Sequence, residues 1–296
     1  MSGTDTKFIF ASRTIIGLLM AAVALSACSG ESTRLAGTAT PVAREVDTFG
    51  FELGRGRCDV PDPSHCDGRR AGKWTTDERA AVGAAVAEIA SKPLGRALIT
   101  AAQARGARAL RRYDVGLVPR DERPLVTAET INALFYRGDP REPFVEIFDR
   151  YFEQRYRDRS SGSGFQARIL LHELFHVVDD GGSRYSSADN FRTAVGFTRD
   201  WLPPLLSDDL KIEQARVATR VNDLATVGRP DEAWEVGRAF ARRFSMPSMR
   251  SMHSAKEGFA ELGTHIVLGG EPLDYLKPAV REYFDTVVFA PLRGQP

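Results

Sequence analysis

The stretch Ile169-Leu170-Leu171-His172-Glu173-Leu174-Phe175-His176-Val177-Val178-Asp179 decides how this chain is read. It sets an H-E-x-x-H pattern inside an apolar, helix-compatible run. On a helix, side chains four apart share one face, so His172 and His176 can turn two imidazoles towards one metal ion. Glu173, one residue past the first imidazole, can then reach a water on that ion. This spacing marks the metal-binding helix of zinc hydrolases. The chain has only five His, and two of them flank this Glu at the required distance. Apolar residues surround the motif nearly all round, as a buried helix requires. The bland alternative is a core helix whose two His merely bond neighbours. It leaves three polar groups to be satisfied inside an apolar rod.

A catalytic zinc normally takes three protein ligands and keeps one position open. The best source of the third is Lys256-Glu257-Gly258-Phe259-Ala260-Glu261-Leu262. Glu257 and Glu261 are four apart, so one carboxylate can bind the ion while the other accepts the free N–H of a ligand imidazole and orients it. Glu257 is the first candidate. Ser254-Ala255-Lys256-Glu257 also reads as a capping box, in which Glu257 reaches back to a backbone N–H and Glu261 is left to take the metal. Asp179, Asp180 and His265 are further candidates, the two Asp lying too close to the first motif to complete a site easily. Phe259 and Leu262 read as core residues.

With both motifs in view, the chain resembles the gluzincin peptidases, and most of all the zincin-like catalytic domain of the anthrax lethal factor type. The resemblance rests on His172-Glu173-Leu174-Phe175-His176 followed by Asp179, and on Glu257-Gly258-Phe259-Ala260-Glu261. It implies an α+β, zincin-like domain with a small mixed sheet, an active-site helix and a mostly helical C-terminal part. It implies that His172, His176 and Glu257 bind Zn2+, that Glu173 is the general base, and that Glu261 and Asp179 support the ligands. The interval from His176 to Glu257 is longer than in that domain, so an insertion is expected. The family often carries a Tyr about two turns before the ligand Glu to stabilise an oxyanion; here Met249 and Arg250 stand there. Arg250, His253 and His265 are the nearest stand-ins in sequence, with His253 ranked first.

The N-terminal residues read as a targeting segment. Lys7 and Arg13 precede an apolar run from Ile15 to Ala24, too short to span a bilayer and of the length of a secretory core. The closing Leu25-Ser26-Ala27-Cys28 resembles a bacterial lipobox, which implies cleavage before Cys28 and lipid attachment to it. Residues 1–27 are then a signal peptide. Residues 28–73 form a tether carrying Cys58 and Cys66, a pair expected to form a disulfide in an oxidising envelope. A metal bound by Cys58, His65 and Cys66 is the rival, but no fourth ligand lies nearby. Residues 74–296 are the metallopeptidase domain. The formal charge is +1, and no long basic run survives in the mature chain, so nucleic acid is not an expected partner.

Within the domain, Thr75-Thr76-Asp77-Glu78 reads as a capping box that opens a helix burying Ala81, Val82, Ala85 and Ile89. A second helix is expected over Leu94–Leu110 and a strand over Arg112–Val118. Phe144–Phe148 has strand character and is a candidate edge for pairing with an extended substrate. Downstream helices are expected at Asp208–Ala225, Asp231–Phe244, Ala255–Leu268 and Leu273–Phe284. The pattern is α+β.

The expected function is that of a lipid-anchored zinc metallopeptidase, with Glu173 activating water to cleave a protein or peptide substrate in the bacterial cell envelope. The outer membrane is the expected site, facing the periplasm or the cell surface. Two rivals remain at this stage: a non-catalytic envelope lipoprotein that keeps a zinc-binding scaffold for a partner, and a zinc amidase acting on cell-wall peptide. Glu173 argues against the first, because a scaffold has little need of that acid beside its metal.

Overall fold

In the computed structural model, the structure describes residues 48–55, 70–114, 133–136, 144–152, 164–198, 208–269 and 273–294. Cys28, Cys58, His65 and Cys66 lie outside these residues, as do the expected signal peptide and most of the tether. Among the described residues, no helix is long and apolar enough to cross a membrane.

The described chain is a mixed α/β protein, mostly helical, with a small sheet. Its strands are β1 (Glu52–Arg55), β2 (Arg70–Ala71), β3 (Ala109–Asp114), β4 (Ala133–Tyr136) and β5 (Phe144–Phe148). β1, β3 and β5 run parallel, β4 closes the far side antiparallel to β5, and β2 pairs antiparallel with the end of β3. β1 lies upstream of Trp74, so the sheet draws in residues that the sequence assigns to the tether. Phe51 is buried in the main core, and the Trp74 indole N–H donates to the Gly54 carbonyl at 2.8 Å. The fold therefore begins earlier than Trp74.

The strand expected at Phe144–Phe148 forms with those bounds, but it is not an edge. It lies between β3 and β4, and all five of its residues are buried. Its two faces differ. Val145 and Ile147 join Leu110 in the main core. Phe144 and Phe148 pack with Tyr113 on the other side, where Arg111 and Glu146 are register partners and the Arg111 guanidinium sits over the Phe144 ring. Residues alternate across a strand, so burial on both faces gives a central strand. The outer strand on this side, among the described residues, is β4.

The helices before the motif are α1 (Thr76–Ser91) and α2 (Pro93–Ala104). The Thr75 box forms as expected: Thr75 Oγ1 accepts from the Glu78 N–H at 3.2 Å, and Glu78 accepts from the Thr75 N–H at 2.9 Å. α2 stops at Ala104 instead of running to Leu110. Gly106 adopts a left-handed backbone (φ 95°), open to glycine at no steric cost, and the chain turns there into β3.

The motif helix, α3 (Phe165–Val178), is tied at both ends. At its start the Glu88 carboxylate of α1 accepts the Gly164 N–H at 3.0 Å, placing a negative charge at the positive end of the helix. At its end Arg105 donates to the Val178 carbonyl and to Ser183. After α3 come α4 (Asp189–Val195), α5 (Asp208–Thr226), α6 (Pro230–Arg242), α7 (Ala255–Leu268) and α8 (Pro278–Tyr283). The last begins at Pro278, a residue suited to the first helical turn; Leu273–Lys277, expected as helix, form its approach. α5 and α6 make a hairpin around a small core of their own, Val221, Leu224 and Ala233. This hairpin fills much of the interval between the two motifs.

α3 and α7 pack closely. Phe175 of α3 and Phe259 of α7 meet edge-on at 5.6 Å, and Phe259 stacks on Phe284 at 5.3 Å. Such ring pairs contribute about 0.5–1.5 kcal/mol each beyond burial. The approach depends on Gly263: a Cβ there would stand 2.4 Å from the Phe175 ring. Gly263→Ala is expected to push the helices apart, lowering stability by about 1–3 kcal/mol. A urea midpoint equal to that of the native chain would refute this account of the contact.

Candidate metal centre

The first motif places its groups as a single helix face requires. His172 and Glu173 are buried, at 4% and 3% exposure. The two Nε2 atoms of His172 and His176 face one another at 3.1 Å. Glu257 reaches across from α7, with Oε2 3.3 Å from His172 Nε2 and Oε1 3.5 Å from His176 Nε2. Among the described residues, His172, His176 and Glu257 are the group of ligand-type side chains close enough to share an ion.

The dimensions suit a metal. Nitrogen and oxygen ligands about 2.0–2.2 Å from a tetrahedral ion stand about 3.3–3.6 Å from each other. The contacts of 3.1, 3.3 and 3.5 Å are of that order, the two to Glu257 using different oxygens; one ligand atom from each residue lies within 4.8 Å of the others. Neutral imidazoles also offer one acceptor nitrogen each. Two such nitrogens turned towards each other and a carboxylate need a proton or a cation between them.

The capping alternative for Glu257 is settled by the same contacts. Ser254 Oγ accepts the Glu257 N–H at 3.2 Å, but the Glu257 carboxylate turns to the imidazoles instead of reaching back. Half the box forms, and the other half is given up to the site. Glu261, one turn on, puts Oε1 3.4 Å from His172 Nδ1, while its Oε2 accepts from Ser248 Oγ at 3.2 Å. That position lets it orient the ring. His265 is farther along the same face and pairs with Arg168 of α3, Nη1 to Nε2 at 2.8 Å. α3 and α7 thus meet through three successive polar rungs: Arg168 with His265, His172 with Glu261, and His172 and His176 with Glu257.

Two expected supports are not where the sequence placed them. Asp179 is buried, but Ser186 occupies both its carboxylate oxygens, through N–H at 2.8 Å and Oγ at 2.5 Å. It braces the turn after α3, where Arg184 has a left-handed backbone (φ 46°), and does not orient an imidazole. His253 is exposed at the end of a short 3-10 turn (Arg250–Met252), and its backbone N–H bonds Arg250. The cation that meets the cluster is Arg250, whose Nε donates to Glu257 Oε2 at 2.6 Å. Ser248 carried no signal in the sequence. Arg250 is among the three cations considered from the sequence, where His253 is ranked ahead of it.

The charges respond to this packing. Burial and Arg250 both disfavour the charged His172, yet Glu257, Glu261 and Glu173 outweigh them and push it up to about 9. Burial raises Glu257 and Glu261, but the imidazoles and Arg250 reverse this. Glu257 is held well below the carboxylate range, and Glu261 down to about 2. Glu173 is electrostatically coupled to both His172 and Arg250. No family model, no curated protein and no solved structure matches this chain.

A pH dependence follows for the metal-free protein. His172 is raised above its unfolded value of 6.5, so its contribution is complete below pH 6.5 and lost as pH rises through about 9. Glu261 is depressed below its ordinary value of 4.5, so its contribution is complete above that pH and lost as pH falls through about 2. Chelator-treated protein should therefore melt highest between about pH 4.5 and 6.5, losing on the order of 3 kcal/mol towards pH 9. Thermal scans across pH will check it. A chelated protein that gains stability from pH 6.5 to 9 contradicts the protonated imidazole.

Proposed function

We propose that this protein is a zinc-dependent peptidase of the gluzincin kind. His172, His176 and Glu257 hold the ion, and Glu173 is the general base. The observation that carries this reading is the convergence of the two Nε2 atoms and both Glu257 oxygens within 3.1–3.5 Å contacts, on a helix that also carries a buried Glu173. A bound Zn2+ would polarise a substrate carbonyl and lower the pKa of its coordinated water towards neutrality.

The chain's own residues supply the rest. Glu173 takes a proton from the attacking water and hands it to the leaving amine, so that water is added across the C–N bond: OH to the carbonyl carbon, H to the nitrogen. Glu261, with Oε1 3.4 Å from His172 Nδ1, is placed to take that N–H and so keep Nε2 turned to where an ion would bind. The apolar packing of α3 excludes water from the back of the centre. An extended peptide would pair with β4, the outer strand, which packs against α3; β5, flanked on both sides, is not available for this. The lipobox-like Cys28 supports a location on a membrane of the bacterial envelope, with protein or peptide there as substrate.

The test uses the full-length chain in detergent, with metal content and cleavage of casein or a peptide library measured together. Wild type should carry one zinc per chain and cleave. Glu173→Gln should keep the zinc and lose cleavage by about 100-fold or more, whereas Glu257→Ala should lose most of the zinc. Equal turnover by Glu173→Gln removes Glu173 as the base, and full zinc in Glu257→Ala removes that ligand.

A further inference from the structure

Resting on the peptidase reading, we infer that Arg250 is a catalytic residue, the donor that meets the negative charge developing on the substrate's carbonyl oxygen. Such charge requires a preorganised partner besides the metal. Arg250 opens the short turn that leads into α7, and its Nε bond to Glu257 Oε2, at 2.6 Å, holds the guanidinium against the ligand cluster. The oxygen it touches is the one facing His172 Nε2 at 3.3 Å.

Exposure separates Arg250 from its neighbours. Its side chain is 43% exposed, against 22% for Glu257 and 5% for His172. It is therefore the most solvent-reachable of the three side chains. Only Nε is engaged; among the described residues the terminal nitrogens have no hydrogen-bond partner. A guanidinium offers five N–H donors in a rigid fork and stays charged at any working pH. One edge can thus remain on Glu257 while the other meets an anionic oxygen. Arg250 also feels the charges of Glu257, Glu173 and Glu261, which keep it in place.

The competing candidates are placed elsewhere. His253 is exposed and outside the cluster, and His265 is buried against Arg168. Tyr283 is committed elsewhere, its hydroxyl donating to the Tyr185 carbonyl at 3.0 Å.

Full-length wild type, Arg250→Met and Arg250→Lys should be loaded with Co2+, and inorganic phosphate titrated against the visible absorption of the bound ion. All three should bind one metal per chain. Phosphate should bind Arg250→Met at least ~10-fold more weakly than wild type, with Arg250→Lys between them. On a cleaved peptide with Zn2+ loaded, Arg250→Met should lose about 100-fold in kcat with KM changed less than about threefold. Phosphate affinity and kcat both at wild-type level in Arg250→Met would overturn the inference. So would loss of metal stoichiometry in that variant, because Arg250 would then only anchor Glu257. A wild type that binds no metal at all would instead overturn the peptidase reading, and this inference with it. A wild type that binds metal but cleaves nothing leaves the phosphate titration to decide.

Discussion

The molecule depends on burying charge-bearing groups between two helices that are otherwise held together by apolar contact. Removing imidazoles and carboxylates from water is costly unless each is paired. α3 and α7 answer this by setting their polar positions opposite one another: residues 168, 172 and 176 on one helix against 265, 261 and 257 on the other, with His172 Nδ1 left 3.4 Å from Glu261 and without a hydrogen bond. Register between the helices is thereby specified twice. The polar rungs specify it by charge, and the Phe175 ring seated over Gly263 specifies it by shape. A slip of one turn would bury unpaired groups and drive a ring into a backbone.

The rest of the fold can be understood as bracing for that pair. Glu88 from α1 and Arg105 at the end of α2 grip the two ends of α3, while Lys256 at the start of α7 bonds Asp180 in the turn beyond it at 2.7 Å. The sheet lies against the same core through Leu110, Val145 and Ile147. Elements widely separated along the chain therefore converge on a single rod, the one that carries His172 and His176.

How much of this was legible beforehand differs by element, for physical reasons. His172, Glu173 and His176 could be read because their relation is local, fixed by 3.6 residues per turn. α7 could be read for the same reason, down to its bounds at Ala255 and Leu268. Which of Glu257's two uses would prevail could not, since a capping bond and an ion contact look identical until another helix arrives. β5 was legible as a strand, but its central place depends on β3 and β4, and Glu146 gave it the alternation of a half-exposed edge. α2 was read too long because good helix formers continue past Gly106. The role expected of Asp179 rests on the resemblance and that of His253 on nearness in sequence, whereas their surroundings are set by Ser186 and by the turn at Arg250.

The hairpin of α5 and α6 keeps its small core of Val221, Leu224 and Ala233 apart from the main one. Separate clusters are energetically nearly independent. The hairpin is nonetheless tied to the main body: Ala241 of α6 belongs to the main core, and a side chain at Gly237 would meet Met249, the residue before Arg250. Changes on its outer turns should therefore leave the opposed helices alone, whereas a larger residue at Gly237 should press on the turn that carries Arg250.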